Sequence, residues 1–149
     1  MSETTTVEEG VYRHRFSSDV VFGDLDAMGH MNNLALLRLL ETGRVGYMVD
    51  TGLAGYDELT YVLARLETDF RHQGQFGDRL TCGTRVASVG RTSFTMEQEI
   101  WRTDGTVLVR GRSVLVALSP DKATPMSVPT KWRQAIADWE QSEFEDVHG

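Results

Sequence analysis

Hydrophobic and polar positions follow two periods in this chain, and the change between them divides it. Residues 11–22, VYRHRFSSDVVF, are β-rich and partly alternating, which predicts a strand. Residues 22–33, FGDLDAMGHMNN, are polar and glycine-bearing and read as a loop. The next run, LALLRLLE, is apolar nearly all round, so a helix over 33–49 is expected to be buried on most sides. Gly43 and Gly46 weaken its second half by propensity and mark places where another backbone comes close. Gly52 suits the stop, and 50–60 form a loop.

From residue 61 the period becomes two. YVLARLETDFRH (61–72) puts Val62, Ala64, Leu66 and Phe70 on one face. DRLTCGTRVASVG (78–90) is a further strand. RTSFTMEQEIWR (91–102) sets Phe94, Met96 and Ile100 against Thr95, Glu97 and Glu99. An Asp-Gly pair in 103–106 is a strong hairpin signal, and VLVRGRSVLVALS (107–119) is the last strand. Pro120, Pro125 and Pro129 end the sheet, and 130–142 fit a short amphipathic helix. One strand, one buried helix and four consecutive strands predict an antiparallel sheet curved around the helix, an α+β layout. Residues 1–9 are expected to be a disordered tail, 10–142 one domain and 143–149 a second tail.

Charge and cysteine usage narrow the partners. A net charge of −7 argues against a phosphate-backbone binder, so no nucleic-acid partner is expected. Cys82 is the single cysteine, which forbids an internal disulfide and suits a reducing, cytoplasmic setting. It reads as a buried small hydrophobe in a strand. The polar, acidic start does not resemble a signal peptide, and no apolar run is long enough to span a membrane.

The polar loop before the apolar helix carries the candidate chemistry. Asp24 and Asp26 are two apart, and in extended chain they point to one side. Two close carboxylates do not both ionise cheaply, which favours a general base; a carboxylate also serves as nucleophile. Gly29, His30, Met31, Asn32 and Asn33 lie at the entry to the helix. Its first turn leaves N–H groups without partners at the positive end of the helix dipole. A carbonyl held between a carboxylate and such donors is open to attack. Simpler roles stand beside these: Asn32 or Asn33 as N-cap, Asp24 as a loop support, His30 as a structural residue or a ligand orienter. His14 and His72 lie on separate strands without metal-ligand spacing, and no metal is expected.

The run from Asp26 to Arg44, DAMGHMNNLALLRLLETGR, resembles the D-x-x-G-H-x-N-N…E-x-x-R signature of hot-dog-fold acyl-CoA thioesterases, in the 4-hydroxybenzoyl-CoA thioesterase-like branch. The likeness runs over roughly 14–118, through FGDRL and GRTSF…DG in the right order. It implies a five-stranded antiparallel sheet around one long helix, with Asp26 as catalytic carboxylate. It also implies that the helix start over 29–33 polarises the thioester carbonyl. Arg91 and Ser93 then become candidates for contacts with CoA phosphate or pantetheine. Many relatives have tyrosine ten residues after the aspartate; Leu36 stands there, implying a more apolar pocket. Glu41 and Arg44, three apart on the helix, are expected to pair, with Glu41 as a reserve catalytic carboxylate.

The function implied is hydrolysis of an acyl-CoA, with no cofactor beyond the CoA of the substrate. The apolar helix needs more cover than one small sheet gives, so a homodimer assembling to a homotetramer is expected. Two alternatives stand: a hot-dog hydratase or dehydratase, although its histidine-proline-rich motif is missing, and a non-catalytic acyl-CoA-binding module.

Overall fold

The computed structural model describes residues 11–53 and 60–141. Both expected tails, and positions 54–59 of the expected loop, lie outside the described residues. Within them the chain forms five strands, two α-helices and a short 3-10 turn. In order these are β1 (His14–Asp19), the turn (Phe22–Asp24), α1 (Asn33–Asp50), β2 (Tyr61–Phe70), β3 (Arg79–Val89), β4 (Ser93–Arg102), β5 (Val107–Ala117) and α2 (Thr130–Glu140). The sheet runs β1-β3-β4-β5-β2, antiparallel throughout. This is the α+β layout expected from the pattern, and the hot-dog fold that the resemblance implies.

Local chemistry sets the element ends. β1 stops well short of residue 22. The Val20 N–H turns to the Asp78 carbonyl, and Phe22–Asp24 wind into the 3-10 turn. Gly52 follows α1 at φ +78° and donates to the Val49 carbonyl, as a helix stop requires. The Asp-Gly turn is also present: Gly105 takes φ +87°, and Asp104 Oδ1 accepts the Thr106 N–H.

α1 lies over β1, β3 and β4. Its first half packs Leu36 and Leu40, with Met31 just ahead of the helix, on Leu80, Ile100 and Leu108. Its second half packs Tyr47 and Met48 with Val86, Phe94 and Leu115, under Trp132 and Ile136 of α2. Burying those two α2 side chains contributes on the order of 1.5–3 kcal/mol each. Glu140, at the end of α2, accepts from Tyr47 Oη at 2.6 Å and the Val86 N–H at 3.0 Å, so α2 is tied to both helix and sheet.

Between the two packed halves the helix meets the sheet closely. A Cβ on Gly43 would stand 2.8 Å from Gln98 Nε2 and 2.9 Å from Cys82 Sγ and Thr84 Oγ1. Gly46 faces the His14 ring. The two glycines therefore make room for side chains, not for another backbone. Cys82 is buried, as expected, and burial pushes its thiol up to about 12, leaving it an inert thiol.

β2 departs from the expected face. Its register shifts between Leu63 and Arg65, so Ala64 is an extra residue and the alternation inverts there. Tyr61, Leu63, Leu66, Thr68 and Phe70 pair with inward residues of β5, and Val62 falls on the other side. β2 is also an edge strand. Val62, Leu63 and Phe70 remain 46%, 39% and 44% exposed, so the apolar surface inferred from sequence is not covered by this chain.

Gly43→Ala tests the close approach. The added methyl forces Gln98, Cys82 and Thr84 outward, with an expected loss of about 1–3 kcal/mol in urea unfolding. An unchanged midpoint would show that helix and sheet have slack here.

Candidate active site

The 3-10 turn uses Asp24 as its clasp. Asp24 is buried; its Oδ2 accepts the Val21 N–H at 3.0 Å, and its Oδ1 accepts from Arg38 Nη2 at 3.0 Å. Both oxygens are committed. The expected pairing with Asp26 is therefore absent: the turn breaks the extended geometry, Asp24 faces inward and Asp26 lies exposed. Asp24 is the loop support.

Asp26 sits in a small closed loop. An isolated β-bridge joins Leu25 to Met31, and the Asp26 N–H donates to the His30 carbonyl at 2.8 Å. Gly29, at φ +77°, donates to the Asp26 carbonyl at 3.0 Å. Asp26 Oδ1 accepts the N–H groups of Met28 at 2.9 Å and His30 at 3.1 Å. Among the described residues, nothing donates to its Oδ2. One oxygen fixes the loop and the other is open.

The helix entry shows which donors are spent. Met31 N–H goes to the Gly74 carbonyl at 2.8 Å, and Asn32 N–H to the Asp24 carbonyl at 2.7 Å. Asn32 is the N-cap, its Oδ1 accepting the Leu34 N–H at 2.8 Å. Gly29, His30, Met31 and Asn32 therefore have their N–H groups engaged, and the free oxyanion donors expected over 29–31 are not there. Among the described residues, Asn33 at the first position of α1 keeps an N–H without a protein acceptor. No acidic residue lies in the first turn of this 18-residue helix, so its positive end is not neutralised from within. The Met31 side chain is buried and faces Gly74 and Leu108. The His30 ring is half-buried and makes no hydrogen bond among the described residues.

A small open pocket of about 80 Å³ lies at the helix start, lined by Asn33, Leu36, Phe70, Arg71, His72 and Gln73. Leu36 is the apolar residue that stands in the tyrosine position. The β2 end joins this lining through tertiary packing alone, and no spacing in the sequence announces it. Arg91 and Ser93 are elsewhere, Arg91 in the β3–β4 turn and Ser93 at the start of β4. The Leu80 end of β3 is beside the Val20–Asp78 contact that leads into the Asp26 loop, and the turn follows Val89 at the other end. Nine residues of strand put the two places about 30 Å apart. The Arg91 side chain is exposed, while its carbonyl accepts the Val128 N–H.

The expected Glu41–Arg44 pair is also absent. Glu41 is exposed; Arg44 turns inward, is 5% exposed, and donates to Gln98 Oε1 at 3.3 Å. Gln98 is a residue the strand pattern passed over. It occupies the inward position between Met96 and Ile100, and a polar residue inside an apolar alternation was the available signal.

Among the described residues no group of three or more His, Cys, Asp or Glu is placed to hold a metal ion, and no helix is long and apolar enough to cross a membrane.

Residues 20–139 match the thioesterase-like superfamily. Among solved structures, a thioesterase from Thermus thermophilus, crystallised with coenzyme A and Zn, is 32% identical with a TM-score of 0.82, covering 90% of this chain and 98% of that one. A thioesterase-superfamily protein from Jannaschia sp. CCS1 is 26% identical at TM-score 0.81, covering 91% and 88%. A 4-hydroxybenzoyl-CoA thioesterase variant with 4-hydroxybenzoyl-CoA bound shares the fold at 18% identity and TM-score 0.75, over 82% and 96%. No curated protein matches significantly in sequence. With four-fifths of its length matched by the family, and with the sheet and helix that family is built on, the chain belongs to the thioesterase-like superfamily and is a hot-dog thioesterase.

Proposed function

We propose that the chain hydrolyses an acyl-CoA thioester to the free acid and coenzyme A, with Asp26 as the catalytic carboxylate. The observation that carries this is the division of the Asp26 carboxylate: Oδ1 is held by two N–H groups, and Oδ2 is open at the junction with α1. A carboxylate so held is positioned without being consumed. As general base, Oδ2 takes a proton from water, whose oxygen bonds to the thioester carbon. As nucleophile, Oδ2 itself attacks that carbon, and water then cleaves the mixed anhydride. In both routes the C–S bond breaks and CoA leaves as a thiolate that takes up a proton. The developing oxyanion is met by the Asn33 N–H and the positive end of α1, with Asn32 holding that first turn in place. Gly29 sets the loop, and His30, whose backbone N–H holds Oδ1, is a second candidate for proton handling. The coenzyme A bound to the Thermus relative supports the substrate class.

A second copy of the chain completes this site. Arg91 and Ser93 lie too far from Asp26 to meet the same CoA within one subunit. The exposed apolar edge of β2 offers the surface for a homodimer, and we place two dimers in a homotetramer. Covering the Asp26 loop then excludes water from an otherwise exposed carboxylate. The cytoplasm is the compartment that suits the single buried thiol.

Asp26→Asn keeps an oxygen for the Met28 and His30 N–H groups, so the loop is expected to persist. Thiol release from a panel of acyl-CoAs should fall at least about 100-fold, with CoA affinity and melting temperature unchanged. Turnover within a few-fold of wild type would overturn the assignment. Turnover absent in both proteins, with CoA bound, would instead indicate a binding module. The dimer has its own test: Leu63→Glu, which sets a charge on the open edge, should shift the sedimentation coefficient toward monomer and lower turnover in parallel. A wild type that sediments as a monomer at full activity would refute the shared site.

A further inference from the structure

The oxyanion site at the helix entry is short of donors. Gly29, His30, Met31 and Asn32 spend their N–H groups inside the protein, and among the described residues at this entry Asn33 alone keeps one. An oxyanion is ordinarily met by more than one donor, drawn from backbone N–H groups or from Asn, Gln, Ser, Tyr or His side chains. A further donor has to come from the walls of the pocket that opens on Asn33.

Beyond Asn33 that pocket is walled by Leu36 and Phe70, which are apolar, and by Arg71, His72 and Gln73, which are not. Arg71 is exposed and has Asp69 Oδ2 at 3.9 Å. Gln73 is exposed too. His72 is half-buried, and its ring makes no hydrogen bond among the described residues. It stands two residues beyond Phe70, so the two-residue period of β2 carries both to the side that lines the pocket.

The backbone under His72 is pinned on both sides. The N–H groups of Arg71 and His72 both donate to the Leu108 carbonyl, at 2.7 and 3.3 Å. Leu108 is fully buried, in the cluster that holds Leu36 and Leu40. Two residues past His72, the Gly74 carbonyl accepts the Met31 N–H at 2.8 Å. A Cβ on Gly74 would stand 2.8 Å from Met31 Sδ, so this segment and the helix entry lie in close contact. The stretch 71–74 is thus clamped between β5 and the loop that leads to Asn33. A donor carried on it keeps a fixed place relative to the first turn of α1, as stabilisation by preset dipoles requires.

Resting on the thioesterase reading above, we propose that His72 is a further catalytic residue, one of its ring N–H groups donating to the thioester oxygen across the pocket from the Asn33 N–H. In a space of about 80 Å³ a carbonyl oxygen comes within hydrogen-bond reach of both walls, roughly 2.7–3.2 Å. As water or Asp26 adds to the carbon, negative charge gathers on that oxygen and both bonds strengthen. The ring gives up no proton. It holds the oxyanion until the C–S bond breaks and the carbonyl reforms, and proton transfer stays on the Asp26 side of the carbon.

The test uses the acyl-CoA that the wild type turns over fastest. His72→Leu removes the donor at similar size and should lower kcat about 100–1000-fold, with KM within a few-fold of wild type. His72→Gln keeps a side-chain N–H and should recover part of that loss. The carbonyl itself is read in the Asp26→Asn protein, which is expected to hold the thioester uncleaved. Isotope-edited infrared spectroscopy should show the carbonyl stretch lowered on binding, and adding His72→Leu should return it partway to its frequency in water. A His72→Leu enzyme with kcat near that of wild type would overturn the inference and leave the hydrolysis reading intact. A lowered kcat with an unmoved carbonyl band would overturn it too, because His72 would then act without touching that oxygen. If the wild type releases no thiol from any acyl-CoA, the hydrolysis reading fails and this one falls with it. Should His72→Leu not fold, His72→Phe takes its place with the same expectations.

Discussion

The side-chain amide of Gln98 carries much of this architecture. It sits in the middle of the sheet, where an apolar residue would ordinarily pack, and donates to the Leu40 carbonyl of the helix lying across it. That bond needs the helix within hydrogen-bond reach of a sheet residue, and Gly43 allows the approach. The helix is thereby fixed along its axis as well as pressed onto a face. Apolar packing alone is non-directional. A buried amide shared among Leu40, Thr84 and Arg44 sets the position, because a slip would leave polar groups unpaired at a cost of roughly 1–3 kcal/mol each.

Fixing the helix fixes its first turn, and the Asp26 loop is built against that turn. Asn32 caps the helix and donates back to the Asp24 carbonyl, while Met31 ties the loop to Gly74. Asp24 and Asp26, two residues apart and chemically alike, do opposite work. One spends both oxygens on the scaffold; the other spends one and keeps one. The difference comes from a single 3-10 turn, which sends Asp24 inward before the loop opens.

That turn also explains what was legible in the sequence. The five strands, both helices, the Asp-Gly hairpin and the Gly52 stop could be read, because each rests on local periodicity or on one residue's backbone preference. The Asp26 motif was legible as a resemblance. The direction of Asp24 was not, since an i, i+2 argument assumes extended backbone. The Glu41–Arg44 pairing failed for a related reason: helical spacing allows it, but the tertiary environment offers Gln98. The inward face of β2 was misassigned at Val62 because an extra residue at Ala64 leaves no mark in a pattern of alternating polarity. Asn33 was legible by position, yet which N–H groups stay free depends on Gly74 and Asp24, partners that only the folded chain supplies.

The irregularity at Ala64 has a further consequence. An unpaired strand edge invites any other strand, and long flat edges are hazards for uncontrolled assembly. β2 carries Arg65, Glu67 and Asp69 on its outer side, and Glu67 stands in register with Arg112, which is itself opposite Glu97 and Arg85 beyond it. A strand arriving at this edge meets charges of both signs in a fixed order and a local twist where the extra residue sits. Few sequences satisfy both. Charges of both signs along the edge and the irregular register at Ala64 work against casual pairing with other strands.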